Sequence, residues 1–294
     1  MKSFSTRAPS VSNAGTPSLL IIGVNGLIDS ALAREADLRK IHWEGTSRRT
    51  ESQWHLNLAE SPDKWQIPSQ AEIAVLCAGI TNVAYCENNP SVTRKINIDA
   101  TLALASQLSK SFCKIVFLSS SQVFGPKIST PLDESTTPCP ATEYGHQKAE
   151  AEKHILSLSP QNMVLRLPKV IHSEMDLISH WRNRWASGKS IEAYVDYYLS
   201  PISIQYLADS IMAIFKLKIG GTFHLGASDA LSYYDFAKWI ACRYGINHSM
   251  ILPSGSPTPQ SPLSAILDSK KTAMLSGLPI PNSLDALNAT FPLC

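Results

Sequence analysis

The chain lacks the features that mark several classes of protein. The chain has no large excess of positive or negative charge, because 26 Lys and Arg are balanced by 24 Asp and Glu. Only 17% of the 294 residues are charged. This balance excludes a nucleic-acid-coating protein, and the 44% hydrophobic content excludes a disordered one. No apolar run approaches the roughly 20 residues of a membrane helix, the longest candidate being residues 71–80. We therefore expect a soluble globular protein that binds neither nucleic acid nor membrane.

The six cysteines form no CxxC pair and are scattered along the chain. A disulfide framework is not expected in a chain of this size, and neither the cysteines nor the histidines show metal-ligand spacing. We therefore expect reduced cysteines, a cytoplasmic location and no metal site. Residues 1–17 show no periodic apolar pattern and are expected to form a flexible tail.

Short apolar runs alternate with helical patterns from residue 18 onward. This alternation is typical of a parallel sheet that helices cover on both faces. The sequence therefore predicts an α/β fold with a doubly wound parallel sheet, and it predicts helices over 91–109 and 142–157. The predicted strands are 19–22, 41–45, 54–58, 72–78, 114–119 and 162–167.

The composition changes past about residue 170, where tryptophans and tyrosines cluster, and again in the Pro- and Ser-rich stretch 253–262. Between these regions, 201–218 and 222–225 have the pattern of a strand, a helix and a further strand, so the chain is expected to return to the sheet. The predicted division is a Rossmann-type nucleotide-binding core of 18–170 and 202–226, and a smaller α/β substrate lobe of 171–201 and 227–294.

A turn with two glycines, Gly23 and Gly26, follows the first predicted strand and precedes a helix-forming segment. Glycine lets the backbone approach a pyrophosphate, and the helix N-terminus offers free N–H groups and the positive end of a dipole. The turn therefore predicts a dinucleotide site, although ordinary strand-to-helix turns also carry two glycines. Asp29 stands where a third glycine is usual, and we expect its carboxylate to disturb helix packing or to repel phosphates.

Arg48 and Arg49 follow the second predicted strand, where an NAD-binding protein places a carboxylate for the ribose hydroxyls. Two guanidinium groups can instead hold a 2′-phosphate through charge-assisted hydrogen bonds. A solvated basic loop would have the same composition. Together with the glycine turn, the two arginines favour NADP(H) over NAD(H) as the cofactor.

A second constellation combines Tyr144 and Lys148 with Ser120. Residues four apart lie on one face of a helix about 6 Å apart, so the Lys148 ammonium is expected beneath the Tyr144 hydroxyl. A nearby cation is expected to lower the pKa of Tyr144 and to make it a usable general acid. The same spacing occurs by chance on ordinary helices, but Ser120 ends a predicted strand and can present its hydroxyl to the same point.

With these residues the sequence resembles the extended short-chain dehydrogenase/reductases, and within them the dTDP-4-dehydrorhamnose reductases. The similarity extends over about residues 18–290. The glycine turn and the Ser/Tyr/Lys set mark the superfamily, and the later segments narrow it. The matching segments are 23–26, 77–81, 96–98, 119–125, 144–148, 164–166, 196–202, 207–209, 221–225, 231–237 and 257–263.

The resemblance implies NADP(H)-dependent reduction of the 4-keto group of a nucleotide-linked deoxy sugar, within polysaccharide biosynthesis. It implies that Ser120 polarises the ketone, that Tyr144 donates the proton, and that Lys148 orients the nicotinamide ribose and holds down the tyrosine pKa. By family analogy, a homodimer would form through the helices beside the fourth and fifth strands. The implied cofactor contacts are Gly23, Asn25, Gly26 and Leu27 at the pyrophosphate, Leu58 at the adenine and Ala78 at the adenosine ribose, with Lys148 at the nicotinamide ribose.

Several positions depart from the family pattern, so the identity of the sugar and of the nucleotide stays open. Asn57 replaces the usual Asp, residues 84–85 lack the usual polar side chains, and 167–169 lack the usual aromatic one. A 4,6-dehydratase is disfavoured because Ser121 and Gln122 stand where that reaction needs carboxyl groups. Two alternatives remain, an epimerase that retains its cofactor and a non-catalytic, nucleotide-binding regulatory relative.

Overall fold

Six strands form a central sheet in which every neighbouring pair is parallel. The computed structural model describes residues 18–24, 26–49, 52–111, 113–126, 132–259 and 265–292. The doubly wound parallel sheet predicted from the sequence is confirmed. From one edge to the other, its strands are β2 (Trp43–Thr46), β1 (Leu19–Ile22), β3 (Ile73–Leu76), β4 (Lys114–Ser120), β5 (Met163–Leu167) and β10 (Gly221–His224).

Helices cover both faces of this sheet, which is why β1 and β3 are buried along their whole length. Alternate residues of β1 enter different apolar clusters, since successive side chains of a strand point to opposite faces. Leu19 packs with Leu32 and Ile211 on one face, and Leu20 packs with Leu104 and Ile155 on the other. The helices involved are α1 (Leu27–Leu38) and α7 (Ile204–Ile214) on the first face, and α4 (Thr101–Lys110) and α5 (Glu143–Leu158) on the second.

The helix predicted over 142–157 is confirmed as α5. The helix predicted over 91–109 is present but irregular, because the π-helical segment Lys95–Ala100 separates α3 (Pro90–Arg94) from α4. This segment turns Asn97 into the protein, where it is 5% exposed. Short π-helical insertions often occur at functional sites. The short helix α2 (Val83–Asn88) precedes this region.

The strand predicted over 54–58 is wrong. This segment makes only a single parallel bridge, between His55 and Ser47, so the sheet ends at β2. Asn57 turns the chain away, because its Oδ1 accepts a hydrogen bond from the Ala59 N–H at 3.1 Å and its backbone carbonyl accepts one from Trp65 Nε1 at 2.9 Å. Side-chain capping of this kind competes with strand pairing.

The rest of the described chain forms pairs of short strands and further helices around a separate apolar cluster. In that cluster the Trp181 ring packs against the rings of Trp185 and Phe236. The strand, helix and strand predicted for 201–218 and 222–225 are present as β9, α7 and β10. The pairs are β6 (Val170–Ile171) with β9 (Ile202–Ser203), β7 (Ile191–Tyr194) with β12 (Ile251–Ser254), and β8 (Tyr198–Leu199) with β11 (Leu231–Ser232). The helices are α6 (Asp176–Ala186), α8 (Tyr233–Arg243), α9 (Lys270–Ser276) and α10 (Ser283–Thr290), and 3₁₀ turns occur at Pro62–Lys64, Ser121–Val123 and His248–Met250.

Two kinds of feature are missing from the ranges given above. No helix within them is long and apolar enough to cross the hydrocarbon core of a membrane. They also contain no group of three or more His, Cys, Asp or Glu side chains arranged to hold a metal ion. The predicted tail, residues 1–17, lies outside the described residues.

Candidate active site

The glycine turn lies where the order of the strands reverses, between β1 and β3. Gly23 has a φ of 104°, and a Cβ at this position would lie 3.2 Å from the Cβ of Ala78, which follows β3. The Gly23 N–H donates to Thr46 Oγ1 of β2 at 3.2 Å. The turn is therefore held close to both neighbouring strand ends, as a dinucleotide-binding turn requires. Asn25 lies outside the described residues.

The helix α1 begins at Leu27, an exposed residue, with Gly26 as its N-cap. Asp29 reaches back to this end of the helix, where its Oδ2 accepts a hydrogen bond from the Gly26 N–H at 2.6 Å. Asp29 is 3% exposed; burial raises the pKa of its carboxyl, and hydrogen bonds from the Gly26 and Asp29 backbone oppose the rise. The carboxyl thus occupies donors that a pyrophosphate would use. The expected disturbance of packing is absent, since Ala31 and Leu32 are fully buried against the sheet.

The residues proposed for the adenosine end of a cofactor lie around the same strand ends. Arg48 and Arg49 follow β2 and are both exposed. Neither guanidinium forms an ion pair with another described residue. Leu58 is buried in the apolar cluster that also contains Ile22 and Leu76, the last residues of β1 and β3. Of the cofactor residues predicted from the sequence, the fold therefore brings Gly23, Gly26, Arg48, Arg49, Leu58 and Ala78 to the carboxyl ends of β1, β2 and β3.

A close approach between α5 and the end of β4 brings Tyr144 to Ser120. Gly145 permits this approach, because a Cβ there would lie 2.1 Å from the backbone oxygen of Gln122. Tyr144 is 6% exposed, and its hydroxyl lies near enough to Ser120 for that side chain to affect its pKa. Burial raises the pKa of Tyr144, and the Ser120 hydroxyl only partly opposes the rise. The predicted lowering of this pKa is therefore wrong for the chain by itself, and Tyr144 keeps its proton at neutral pH.

Lys148 lies one helical turn beyond Tyr144 and is 8% exposed. Its Nζ donates to the backbone oxygen of Leu118 at 2.8 Å and lies 4.4 Å from the centre of the Phe117 ring. Burial lowers the pKa of Lys148 to about 8, and the charge of Glu152 acts in the opposite direction. An ammonium has three N–H donors, and Leu118 is its one hydrogen-bond partner among the described residues, so donors remain for a ribose hydroxyl.

Two further groups support this face of α5, and neither was predicted from the sequence. Asn97 accepts a hydrogen bond from the Ile80 N–H at 2.8 Å and donates to Gln147 Oε1 at 2.7 Å, which ties the loop after β3 to α5. No local pattern indicates a contact across 50 residues. The second group is Glu152, which is paired with Arg166 at 2.8 Å and buried. Its position four residues after Lys148 was a helical-spacing signal that could have identified it.

With this geometry established, comparison with known proteins gives the family. The sequence profile of the RmlD substrate binding domain matches residues 17–292. The chain belongs to this family. The parallel sheet described above, with its turn at the reversal of strand order, is the extended short-chain dehydrogenase/reductase type of fold.

Two curated relatives of this RmlD-family chain differ in the function that their names state. The dTDP-4-dehydrorhamnose reductase of Sinorhizobium fredii is 24% identical over 226 residues, which is 72% of this chain and 76% of the relative. The methionine adenosyltransferase 2 subunit beta of Bos taurus is 26% identical over 285 residues, which is 87% of this chain and 82% of the relative. The relatives of the chain therefore include both a named dTDP-4-dehydrorhamnose reductase and a named subunit of another enzyme.

A solved structure confirms the fold of the chain. The crystal structure of the dTDP-4-dehydrorhamnose reductase of Bacillus anthracis in complex with NADP superposes with a TM-score of 0.80. The superposition covers 94% of this chain and 99% of that chain, at 19% sequence identity. At this identity the similarity shows the shared architecture, and function has to be argued from the site.

Proposed function

We propose that the protein reduces the 4-keto group of a nucleotide-linked deoxy sugar with NADP(H). The observation that carries this proposal is the meeting of Ser120, Tyr144 and Lys148 at the carboxyl end of β4, beside the glycine turn after β1. Ligands of open α/β sheets bind at this edge, next to the reversal of strand order. The nucleotide-sugar class is supported by membership of the RmlD family and by the reductase among its relatives.

In the proposed reaction, the hydroxyl of Ser120 donates a hydrogen bond to the C4 carbonyl oxygen and draws electron density from the carbon. The hydroxyl of Tyr144 transfers its proton to that oxygen as the ketone becomes an alcohol. Because burial keeps Tyr144 protonated, the donor is in its active form at neutral pH. Lys148 holds a positive charge close to the tyrosine and can stabilise the phenolate that proton transfer leaves.

The residues of the chain fit a nicotinamide dinucleotide. The close approach of Gly23 to Ala78 leaves no room for a side chain, which makes a cradle at the strand ends. Gly26 and Leu27 begin α1 beneath the expected pyrophosphate, and Lys148 faces the expected nicotinamide ribose. Arg48 and Arg49, which pair with no other described carboxylate, lie beside the expected 2′-phosphate. When bound, the cofactor supplies the hydride. The core of 18–170 and 202–226 would hold it, and the lobe of 171–201 and 227–294 would hold the sugar nucleotide.

The direct test is turnover of NADPH with a panel of dTDP- and UDP-linked 4-keto-6-deoxy sugars. We expect NADPH absorbance to fall in proportion to the 4-hydroxy product. Epimerised product without loss of NADPH would support the epimerase, which uses the same three side chains. Binding of NADPH without any turnover on the panel would support a non-catalytic relative, as the name of the bovine protein suggests.

Asp29 is predicted to weaken cofactor binding through its charge. Asp29→Asn keeps an oxygen acceptor for the Gly26 N–H and removes the anion from the helix N-terminus. We expect the Kd for NADPH, measured by fluorescence titration, to fall about threefold to tenfold. Asp37→Asn, on the exposed side of the same helix, is the matched control and should leave the Kd unchanged. Weaker binding by Asp29→Asn would contradict the expectation and would make Asp29 a supporting residue.

Arg48 and Arg49 are predicted to select NADPH over NADH. Replacing both with Gln removes two cations from the end of β2, and we expect the Kd for NADPH to rise about tenfold to a hundredfold. NADH has no 2′-phosphate, so its Kd should not change. The control is Lys216→Gln with Lys218→Gln, which removes the same charge after α7. An equal loss of affinity for both cofactors would show that the arginines do not read the 2′-phosphate.

A further inference from the structure

The most deeply buried ion pair in the described part of the chain lies next to the proposed active site. Glu152 on α5 and Arg166 on β5 each have side chains that are 4% exposed. Two nitrogens of the guanidinium donate hydrogen bonds to the carboxylate. Nη2 lies 2.8 Å from Oε2, and Nε lies 3.1 Å from Oε1 and 3.2 Å from Oε2. Because removing both charges from water is costly, such a pair adds little to the stability of the fold, which points to a functional role.

The pair is tied to the strand that carries the proposed catalytic serine. Arg166 lies opposite Ser119 in the register of β4 and β5. The Ser119 hydroxyl donates to Glu152 Oε1 at 2.5 Å, and Ser120 is the next residue along β4. On α5, Glu152 stands one helical turn beyond Lys148 and two turns beyond Tyr144, so the three side chains share a face. The Glu152 carboxylate is therefore fixed by contacts with Ser119 on β4 and Arg166 on β5, while its backbone is part of α5.

Arg166 is itself held by a neutral histidine. Burial, and next the charge of Arg166, lower the pKa of His224 to about 4, so the ring carries no charge at neutral pH. A guanidinium can only donate, so His224 Nε2 accepts from Arg166 Nη1 at 3.4 Å. The proton is consequently on Nδ1, which donates to the backbone oxygen of Leu132 at 3.1 Å. The histidine adds no second positive charge to the cluster.

Among the described residues around Lys148, no thiolate or phenolate adds to the negative charge of Glu152. Burial raises the pKa of the Cys77 thiol far above its ordinary value and raises that of Cys86, so both thiols are neutral. Tyr144 is protonated as well. The described ionisable groups around Lys148 are Tyr144 and Glu152 on α5, Cys77 after β3 and Cys86 on α2, with Asp29 beyond Cys77, Glu87 and Glu143 beyond Cys86, and Arg166 beyond Glu152. Glu152 is the carboxylate in this set that acts directly on Lys148.

We infer that Glu152 is a positioning residue whose buried negative charge, oriented by Arg166 and Ser119, keeps the Lys148 side chain an ammonium in the working enzyme. Glu152 touches neither substrate nor cofactor and acts through Lys148. The inference rests on the proposed function for its catalytic meaning. The charge state of Lys148 itself is a property of the chain and can be measured without substrate or cofactor.

The test compares Glu152→Gln with wild type by NMR titration of lysine-labelled, cofactor-free protein. The Lys148 signal is assigned by its absence from a Lys148→Met sample. We expect the Lys148 midpoint in Glu152→Gln to move to lower pH by about one unit or more, since an opposite charge at close range has been removed. The alkaline fall of kcat/KM with NADPH and sugar nucleotide should move by the same amount.

Glu150→Gln is the matched control, because Glu150 is exposed on the same helix, is paired with Arg94 and is not among the charges that act on Lys148. It should leave the midpoint where it is in wild type. A variant that leaves Arg166 buried without its partner can fail to fold. The second variant therefore combines Glu152→Gln with Arg166→Met, which leaves no unpaired buried charge. We expect a smaller fall of the midpoint than in Glu152→Gln, because the guanidinium whose charge opposes that of the carboxylate is removed with it.

An unchanged Lys148 midpoint in whichever of these variants folds would overturn the inference. A midpoint that moves to higher pH would overturn it as well. If wild type shows no turnover with any sugar nucleotide, the proposed function fails, yet the NMR titration still decides the role of Glu152. A merely structural role would lower the stability of the variants and leave the Lys148 midpoint in place.

Discussion

Tyr144→Phe is expected to lower kcat/KM for reduction of a 4-keto sugar nucleotide by about a hundredfold to ten-thousandfold. The substitution removes a buried hydroxyl that lies near Ser120, on a ring whose centre is 5.9 Å from Lys148 Nζ. It leaves an aromatic ring of nearly the same volume in the same space, so the fold and the hold on the cofactor should be retained. The measurement is NADPH oxidation at saturating cofactor, with NADPH binding followed separately by fluorescence.

Tyr244→Phe is the control for this experiment, because Tyr244 caps the far end of α8 and its ring packs under Arg182. We expect its kcat/KM to match that of wild type. Equal turnover by Tyr144→Phe and wild type would show that Tyr144 is not the proton donor. It would therefore contradict the reductase mechanism proposed above. Loss of NADPH binding in Tyr144→Phe would instead mean that the phenol supports the cofactor site.

Lys148→Met is expected to abolish most of the activity and to make the protein more stable at neutral pH. Burial lowers the pKa of Lys148 from 10.5 to about 8. The folded chain thus binds this proton less tightly than the unfolded chain, so protonation of Lys148 lowers the free energy of unfolding. This destabilisation is complete below about pH 8 and disappears above pH 10.5. Removing the amine should raise the free energy of unfolding at pH 7 by about 2 kcal/mol, after allowance for the lost bond to Leu118.

The pH dependence distinguishes this effect from ordinary repacking. As pH rises from 8 toward 10.5, the lysine becomes neutral in both states, so the advantage of Lys148→Met should shrink and then vanish. Urea unfolding at pH 7 and at pH 10 measures it. Lys153→Met, at an exposed position of the same helix, should show no such trend. A Lys148→Met protein that is less stable than wild type at pH 7 would show that burying the charged amine does not lower the free energy of unfolding.

These opposite effects on activity and stability follow from one arrangement. A buried amine next to a phenol is useful for proton transfer because its charge is poorly screened by water, and for the same reason it is costly to keep charged. Proteins commonly accept such costs at functional sites. Glu152 reduces the cost without contacting the substrate, which links the buried pair on α5 and β5 to the chemistry at Tyr144.

Local patterns in the sequence were sufficient to predict the parallel sheet and the helix α5. Four-residue apolar runs such as Leu19–Ile22 are too short for most helices and favour buried strands, and β1 and β3 are indeed strands that are buried throughout. The same periodicity misread 54–58, because the capping contacts of Asn57 that turn the chain are not visible in a hydrophobic pattern. It also missed the π-helical segment Lys95–Ala100, since an added residue per turn leaves little trace in composition.

By itself the sequence determined the fold class, the glycine turn, and the spacing that puts Tyr144 and Lys148 on one helix face, because each of these depends on residues near one another in the chain. Tertiary structure alone decided the electrostatics. It placed Asp29 at the N-terminus of α1, raised the pKa of Tyr144 where proximity to Lys148 predicted a fall, and joined Glu152 to Arg166. Desolvation and long-range pairing depend on what packs around a group, and spacing along a chain does not specify that.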